Sequence, residues 1–378
     1  MKPIYLDYNA TTPVHPIVAK AMHPYITDMY GNPSSTHWYG FDAREAVDKA
    51  RAQLARLLEC EPQEIIFTGC ATESNNIAIL GLLTPWMDCK RHLITSAVEH
   101  PAVLEVARFC RSLGCSVTVI PVDSNGLVDP CDIEKAITKN TVLISIMHGN
   151  NEVGTIQPVE AIAMIAKNHG VLFHCDAAQS IGKIPVNLRK LDVDMLTVAG
   201  HKFYAPKGVG ALFLKAGTSI QKVYHGASHE FGLRPGTENV TGIVGLGAAA
   251  ELASENIETR SLKLAETRDR LHNAILAALD DVRLNGHPEK RLPNTLSLGF
   301  KNVSATDVMN NLLEVAVSAG AACHGPGEHR ISHVLEAMAV PQEYARGTLR
   351  LSTGIMTTND DIDVAAMSIV EAVKRARD

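Results

Sequence analysis

The sequence predicts an α/β protein built on a mainly parallel sheet, with a second, smaller α+β unit. Three observations lead there. Short apolar runs alternate with helix-length amphipathic stretches over the first two thirds of the chain. A stretch free of glycine and proline then runs from Gly247 to Gly286, and a fresh strand-and-helix pattern begins beyond it. At 378 residues the chain also exceeds the usual size of a single core, so two domains are expected.

The apolar runs come in order as EIIFTG, HLITSA, SVTVIPV, TVLISIM, VLFHCD and DMLTVAG, and each reads as a short buried strand. Between them, AVLEVARFCRSLG and PVEAIAMIAKNHG carry helical spacing, and the second closes on Gly170 as a helix does. Strands that are apolar throughout need cover on both faces, which favours parallel pairing with helical crossovers. Leu264, Leu271, Ile275 and Leu279 recur at helical spacing, predicting a long amphipathic helix that links the two domains. After NGHPEKRLP come the strand-like NTLSLGF, a helix near Ala305 to Leu313, and a glycine-rich loop around Cys323.

Composition narrows the function classes. A formal net charge of −6 leaves no basic footprint, so nucleic acid is not an expected partner. MKPIYLDYNATTP lacks the apolar core of a signal peptide, and no apolar stretch approaches the roughly 18 residues of a membrane helix. The 8 cysteines show no C-x-x-C pair; Cys110, Cys115 and Cys175 lie in apolar stretches and read as buried thiols of a cytoplasmic protein.

In a parallel sheet, ligands gather beyond the carboxyl ends of the strands. The residues there form a chemical set. EIIF is followed by TGCATESNN, a turn opening a helix at about Thr72, where free N–H groups suit a phosphate. Further strand ends supply His100 before Pro101, Asn150-Asn151-Glu152, Asp176 with Gln179, and His201 with Lys202. Each alone reads as readily as a cap or a surface group; together they line one edge. A lysine, a carboxylate, a histidine and a phosphate site match pyridoxal phosphate, whose aldehyde joins a lysine and whose ring nitrogen needs an acidic partner. Burial would lower the lysine's pKa and make it a usable nucleophile and base.

Ten segments then carry a family resemblance: YLDYNATTP, YGNPSSTH, GCATESNN, VEHPAV, NNEVGTIQP, HCDAAQS, GHKFYAPKGVGALF, RPGTEN, SAGAACH and TLRLSTG. In this order they resemble the cysteine desulfurase and selenocysteine lyase family of fold-type-I pyridoxal phosphate enzymes. The resemblance implies a seven-stranded-type sheet with helices on both faces, a large domain over 15–257, and a small domain formed by 1–14 and 258–378. It implies that Lys202 holds the cofactor and moves protons at the substrate α-carbon. Asp176 would pair with the ring nitrogen, Gln179 with the phenolic oxygen, and His100 would stack on the ring and transfer protons. Ala71, Thr72 and His201 would hold the phosphate, with Thr237 supplied by the second subunit of a homodimer. Arg350, Asn151 and Asn32 would grip the substrate carboxylate, a bidentate task that suits a guanidinium. One departure is Ala199, where many relatives carry a serine that bonds the phosphate; one phosphate hydrogen bond is therefore expected to be missing.

The same resemblance makes Cys323 the nucleophile that attacks the substrate sulfur, becomes a persulfide and leaves alanine as product, with an acceptor protein downstream. Gly320, Gly325, Pro326 and Gly327 argue against regular structure around it, and His324 could favour the thiolate. Cys323, His324, His329 and His333 also form a set of metal-ligand types, but their spacing is not that of paired zinc sites, and no metal is expected. The substrate is expected to be L-cysteine, with L-selenocysteine as the alternative that GAACH and RPGTEN suggest. An aminotransferase of the same fold would give Cys323 no task, and a non-enzymatic scaffold would not need Lys202, Asp176, His100 and Arg350 together.

Overall fold

The computed structural model describes residues 3–83, 90–319 and 331–378. Its strands, in chain order, begin with β1 (Ile4–Tyr5). A central set follows: β2 (Ile65–Thr68), β3 (His92–Ser96), β4 (Ser116–Ile120), β5 (Thr141–Met147), β6 (Leu172–Asp176), β7 (Met195–Ala199) and β8 (Gly210–Leu214). The last are β9 (Val282–Asn285), β10 (Thr295–Phe300), β11 (Val315–Ala316) and β12 (Thr348–Ser352).

The central seven strands form one sheet in the order β2-β8-β7-β6-β5-β3-β4. β8 is antiparallel to both neighbours, while every pairing from β7 across to β4 is parallel. Only ten residues separate β7 from β8, too few for a helical crossover, so the reversal follows from chain length. β3 leads outward to β4, whereas β5 returns to the other side of β3. That reversal of winding opens a crevice at the strand ends.

The sheet is covered on both faces, and strand alternation sorts its residues between them. Ile65, Phe67, Ile94, Ile144, Phe173 and Leu196 pack into one core. Ile66, Leu93, Leu143, Met195 and Leu212 turn the other way and pack into a second core with the Ala71–Leu83 and Pro101–Ser112 helices. β4 departs from the expectation of a buried strand: it is the sheet's edge, with Ser116 and Val119 exposed. An edge strand lacks one neighbour, so its apolar residues are only partly covered.

The predicted long helix is also corrected. Two helices, Val240–Ser254 and Ile257–Ala278, meet at Glu255–Asn256, where Asn256 takes an extended φ of −153°. The first is rich in glycine and alanine and packs closely on the Trp38–Leu58 helix. Only the second carries the Leu264, Leu271 and Ile275 stripe. The helix expected near Ala305–Leu313 ends at Asn310, and Leu313 is exposed.

β9, β10 and β12 make a three-stranded antiparallel sheet with β10 in the centre. Its core joins Leu296, Leu298, Leu349 and Leu351 to Leu271 and Ile275 of one helix and Ile362, Ile369 and Val373 of another, Asn359–Arg377. The first residues join this unit too, through Ile4 and Leu6 in the same core, the β1–β11 pair, and a bridge from Asp7 to Ser352. The chain then crosses toward the large sheet.

Helix contact at Val240–Ser254 depends on a missing side chain. A Cβ on Gly247 would lie 2.5 Å from Gln53 Oε1 and 2.6 Å from the Ala50 Cα. Gly247→Val is expected to destabilise the protein by about 2 kcal/mol, the usual scale for overpacking. A lowered urea midpoint would show it; a midpoint equal to wild type would contradict this account of the helix pair.

Candidate active site

A cavity of about 350 Å³ lies at the carboxyl ends of the parallel strands. Lining it are Ala71, Thr72, His100, Asn151, Asp176, Gln179, Ala199, His201, Lys202 and Arg350. The winding of the sheet explains the convergence. β3 delivers His100, β5 delivers Asn151, β6 ends on Asp176 and β7 runs into the Gly200–Lys202 turn.

Asp176 is held in one orientation: its Oδ2 accepts from Asn75 Nδ2 at 2.8 Å and its Oδ1 from the Ala178 N–H at 3.0 Å. Asn75 lies one helical turn beyond Ala71, so the helix that could bind an anion also braces the carboxylate. First-turn N–H groups of that 13-residue helix have no intrahelical acceptor, and Ala71 and Thr72 place them at the cavity wall. Gly210 keeps this corner tight, since a Cβ there would come 2.9 Å from the carbonyl carbon of Cys70.

Lys202 Nζ donates to the carbonyls of Asn9 at 2.6 Å and Ala10 at 2.8 Å. Gln179 Nε2 donates to the same Asn9 carbonyl at 3.0 Å. Arg350 is buried; its Nη2 bonds Asp7 Oδ1 at 2.8 Å, its Nη1 the Asn151 carbonyl at 3.3 Å, and its Nε–H has no acceptor among the described residues. His100 caps the Pro101–Ser112 helix through Nδ1, which accepts the Ala102 N–H at 3.1 Å. That bond puts the neutral ring's proton on Nε2. Burial holds His100 below its ordinary pKa against the pull of Asp176, and Lys202, His333 and Arg350 add to the lowering.

Burial dominates the other titrations. It lowers His201 to about 4, helped by Lys202, Lys207 and Lys183, and His201 Nδ1 lies 3.2 Å from Thr11 Oγ1. His174 is lowered to about 4 and sits between the hydroxyls of Ser145 and Thr197. Glu99 is fully buried and raised to about 8, accepting from Ser96 Oγ at 2.6 Å and the Met147 N–H at 2.9 Å. Glu152 is raised to about 7 by burial, against the Ser332 hydroxyl that donates to it and the Arg350 charge.

Two predicted residues stand apart from this cavity. Asn32 is exposed, and its Oδ1 accepts from the Ser34 N–H at 2.9 Å. Thr237 is exposed on the stretch before the Val240–Ser254 helix. Cys323 lies outside the described residues, as do His324 and His329. His333 is described, and its Nε2 bonds the Glu99 carbonyl at 3.0 Å. The chain on either side of 320–330 is tied to the cavity wall: Ser318 bridges to Arg350, and Ser332 donates to Glu152. Among the described residues no helix is long and apolar enough to cross a membrane.

Sequence reasoning missed Asn9, Asn75, Asp7 and Lys183. Asn75 had a usable signal, its spacing of four from Ala71 on a predicted helix. Asn9 and Lys183 had none, because nothing local marks a buried amide or amine.

Comparison with known proteins agrees with this geometry. A family model described as aminotransferase class-V matches residues 4–364. The chain is 44% identical over 376 residues to a cysteine desulfurase IscS of Dictyoglomus turgidum, covering 99% of this chain and 95% of that one. A solved NifS-like protein superposes with a TM-score of 0.92 at 38% identity, over 99% of this chain and 100% of that chain. A chain solved as SspA in complex with cysteine gives a TM-score of 0.83 at 36% identity, over 92% and 98%. The fold and these matches place the chain in the aminotransferase class-V family. Within that class, the chain belongs to the cysteine desulfurase family.

The buried acid Glu99 yields a pH prediction. Its folded pKa is raised, so its contribution to stability is full below the ordinary 4.5 and is lost as pH rises toward about 8. Glu99→Gln should escape that loss. Thermal midpoints measured from pH 5 to pH 8 should show wild type falling relative to the variant, whereas parallel profiles would contradict a protonated Glu99.

Proposed function

We propose that the protein is a pyridoxal phosphate-dependent cysteine desulfurase acting on L-cysteine. The observation that carries this is the joining, in one cavity, of Lys202, a braced Asp176 carboxylate and a helix N-terminus. A lysine for the aldehyde, an acid for the ring nitrogen and N–H groups for the phosphate are what this cofactor requires. The buried Arg350 Nε–H, without an acceptor among the described residues, is a further donor suited to a carboxylate. The relative solved with cysteine supports the choice of substrate.

When bound, the cofactor supplies an electron sink for negative charge that develops on the substrate α-carbon. The chain's own residues do the rest. Asp176, fixed by Asn75 and Ala178, keeps a proton on the ring nitrogen. Lys202 Nζ moves protons at the α-carbon. His100, with its neutral-ring proton on Nε2 and its side chain lining the cavity, would stack on the cofactor ring and transfer protons. Arg350 orients the substrate carboxylate, with Asn151 beside it. Cys323 receives the sulfur as a persulfide while the carbon skeleton leaves as alanine, and an acceptor protein then takes the sulfur. Ala71, Thr72 and His201 hold the phosphate. Asn32 substrate contact and completion of the phosphate site by Thr237 from a second copy belong to the same reading; Thr237 is exposed in the single chain, which leaves it open to a second copy. Residues 15–257 serve as the cofactor-binding domain, and 1–14 with 258–378 as the small domain.

Cofactor-loaded protein given L-cysteine should form alanine, with persulfide detectable on Cys323 by mass spectrometry. Cys323→Ala should lose alanine formation by at least about 100-fold, the scale of an essential nucleophile. Pyruvate in place of alanine, or undiminished turnover in the variant, would overturn the assignment.

A further inference from the structure

The turn after Asp176 buries a second lysine that the reading above leaves without a role. Lys183 is 5% exposed, and among the described residues no carboxylate is a hydrogen-bond partner. Its Nζ donates to Gln179 Oε1 at 2.7 Å and to Asn9 Oδ1 at 3.0 Å. Backbone geometry puts it there. Lys183 N bonds the Ser180 carbonyl, and Gly182 has φ +74°, where a Cβ would lie 2.6 Å from Phe203 Cβ. Only glycine allows the chain to turn under the segment that carries Lys202.

Burying an amine without an anion is costly. Burial lowers its pKa well below the ordinary value, and the Lys202 and Arg350 cations act in the same direction. Two amide oxygens take two of its N–H groups. An apolar side chain of similar length would cost less, so what the lysine adds is those two bonds.

The bond to Gln179 has a direction. The Asn9 carbonyl can only accept, so it draws Gln179 Nε2; Lys183 donates, so it draws Gln179 Oε1. Between them the amide cannot flip without leaving Oε1 unpaired and two N–H donors face to face. Its second Nε2 proton is left for the cavity that Gln179 lines.

We propose that Lys183 is a positioning residue, which locks the Gln179 amide so that an N–H faces the phenolic oxygen of the bound cofactor. The inference rests on the cofactor assignment above. That N–H stabilises negative charge on the oxygen and so loosens the proton shared between the oxygen and the Lys202 nitrogen.

The test is a pH titration of the visible absorption band of protein loaded with pyridoxal phosphate. Lys183→Met and Gln179→Ala should each raise the titration midpoint by about one pH unit, and the double variant should go no further. A purely structural role would lower the melting temperature of Lys183→Met and leave its midpoint unmoved, overturning the inference; additive shifts would overturn it too. Should Lys183→Met fail to fold, Gln179→Glu retains the lysine, gives it a carboxylate partner and removes the donor. Its midpoint should also rise, and an unchanged one counts against the proposal. Wild type without any band would overturn the cofactor assignment and this inference with it, whereas a normal wild-type band with unshifted variants overturns this inference alone.

Discussion

Asn9 is the joint on which the cavity depends. It is buried, and its main chain and side chain bond at once to the three-stranded sheet and to the segments just past the strands of the large one. Its N–H donates to Ser352 Oγ, and its Nδ2 donates to Thr295 Oγ1 and the Asn151 carbonyl. Its Oδ1 accepts from Lys183 and Asn294, and its carbonyl accepts from Lys202 and Gln179. Away from water such a network holds only when all its members are satisfied. The first residues of the chain therefore set where the lysine of the site points, although they lie almost 200 positions from it in sequence.

Electrostatics follow from that arrangement. Lys202 and Arg350 face a cavity in which Asp176 is anchored by its own donors and Asp7 already holds one edge of the arginine. His100, His174 and His201 are all pushed toward the neutral form by burial. Fixed positive charge and helix N–H groups thus suit the phosphate and carboxylate of the proposed reading, while the imidazoles contribute hydrogen bonds. The low dielectric that makes these groups costly to bury also makes them effective.

Much of this was legible in the sequence because sheet geometry converts local pattern into position. Apolar runs mark strands, and the residue just past a parallel strand lies on the ligand edge. His100, Asn151, Asp176 and Lys202 reach one cavity by that rule alone. What was not legible depends on tertiary contacts. No glycine or proline marks the break at Glu255–Asn256, and the edge position of β4 follows from strand order. Lys183 sits in SIGKIPV, a stretch that reads as a turn with a solvated lysine, and only the packing beneath Phe203 reveals it as buried.

Lys202 lines the cavity and Lys183 lies buried behind Gln179, and the two are proposed to do different chemistry: Lys202 joins the cofactor, and Lys183 orients an amide. Borohydride reduction of cofactor-loaded protein, followed by peptide mapping, separates the two. The account predicts a phosphopyridoxyl group on Lys202 and an unmodified Lys183. Label on Lys183, or no stable label on either lysine, would contradict it.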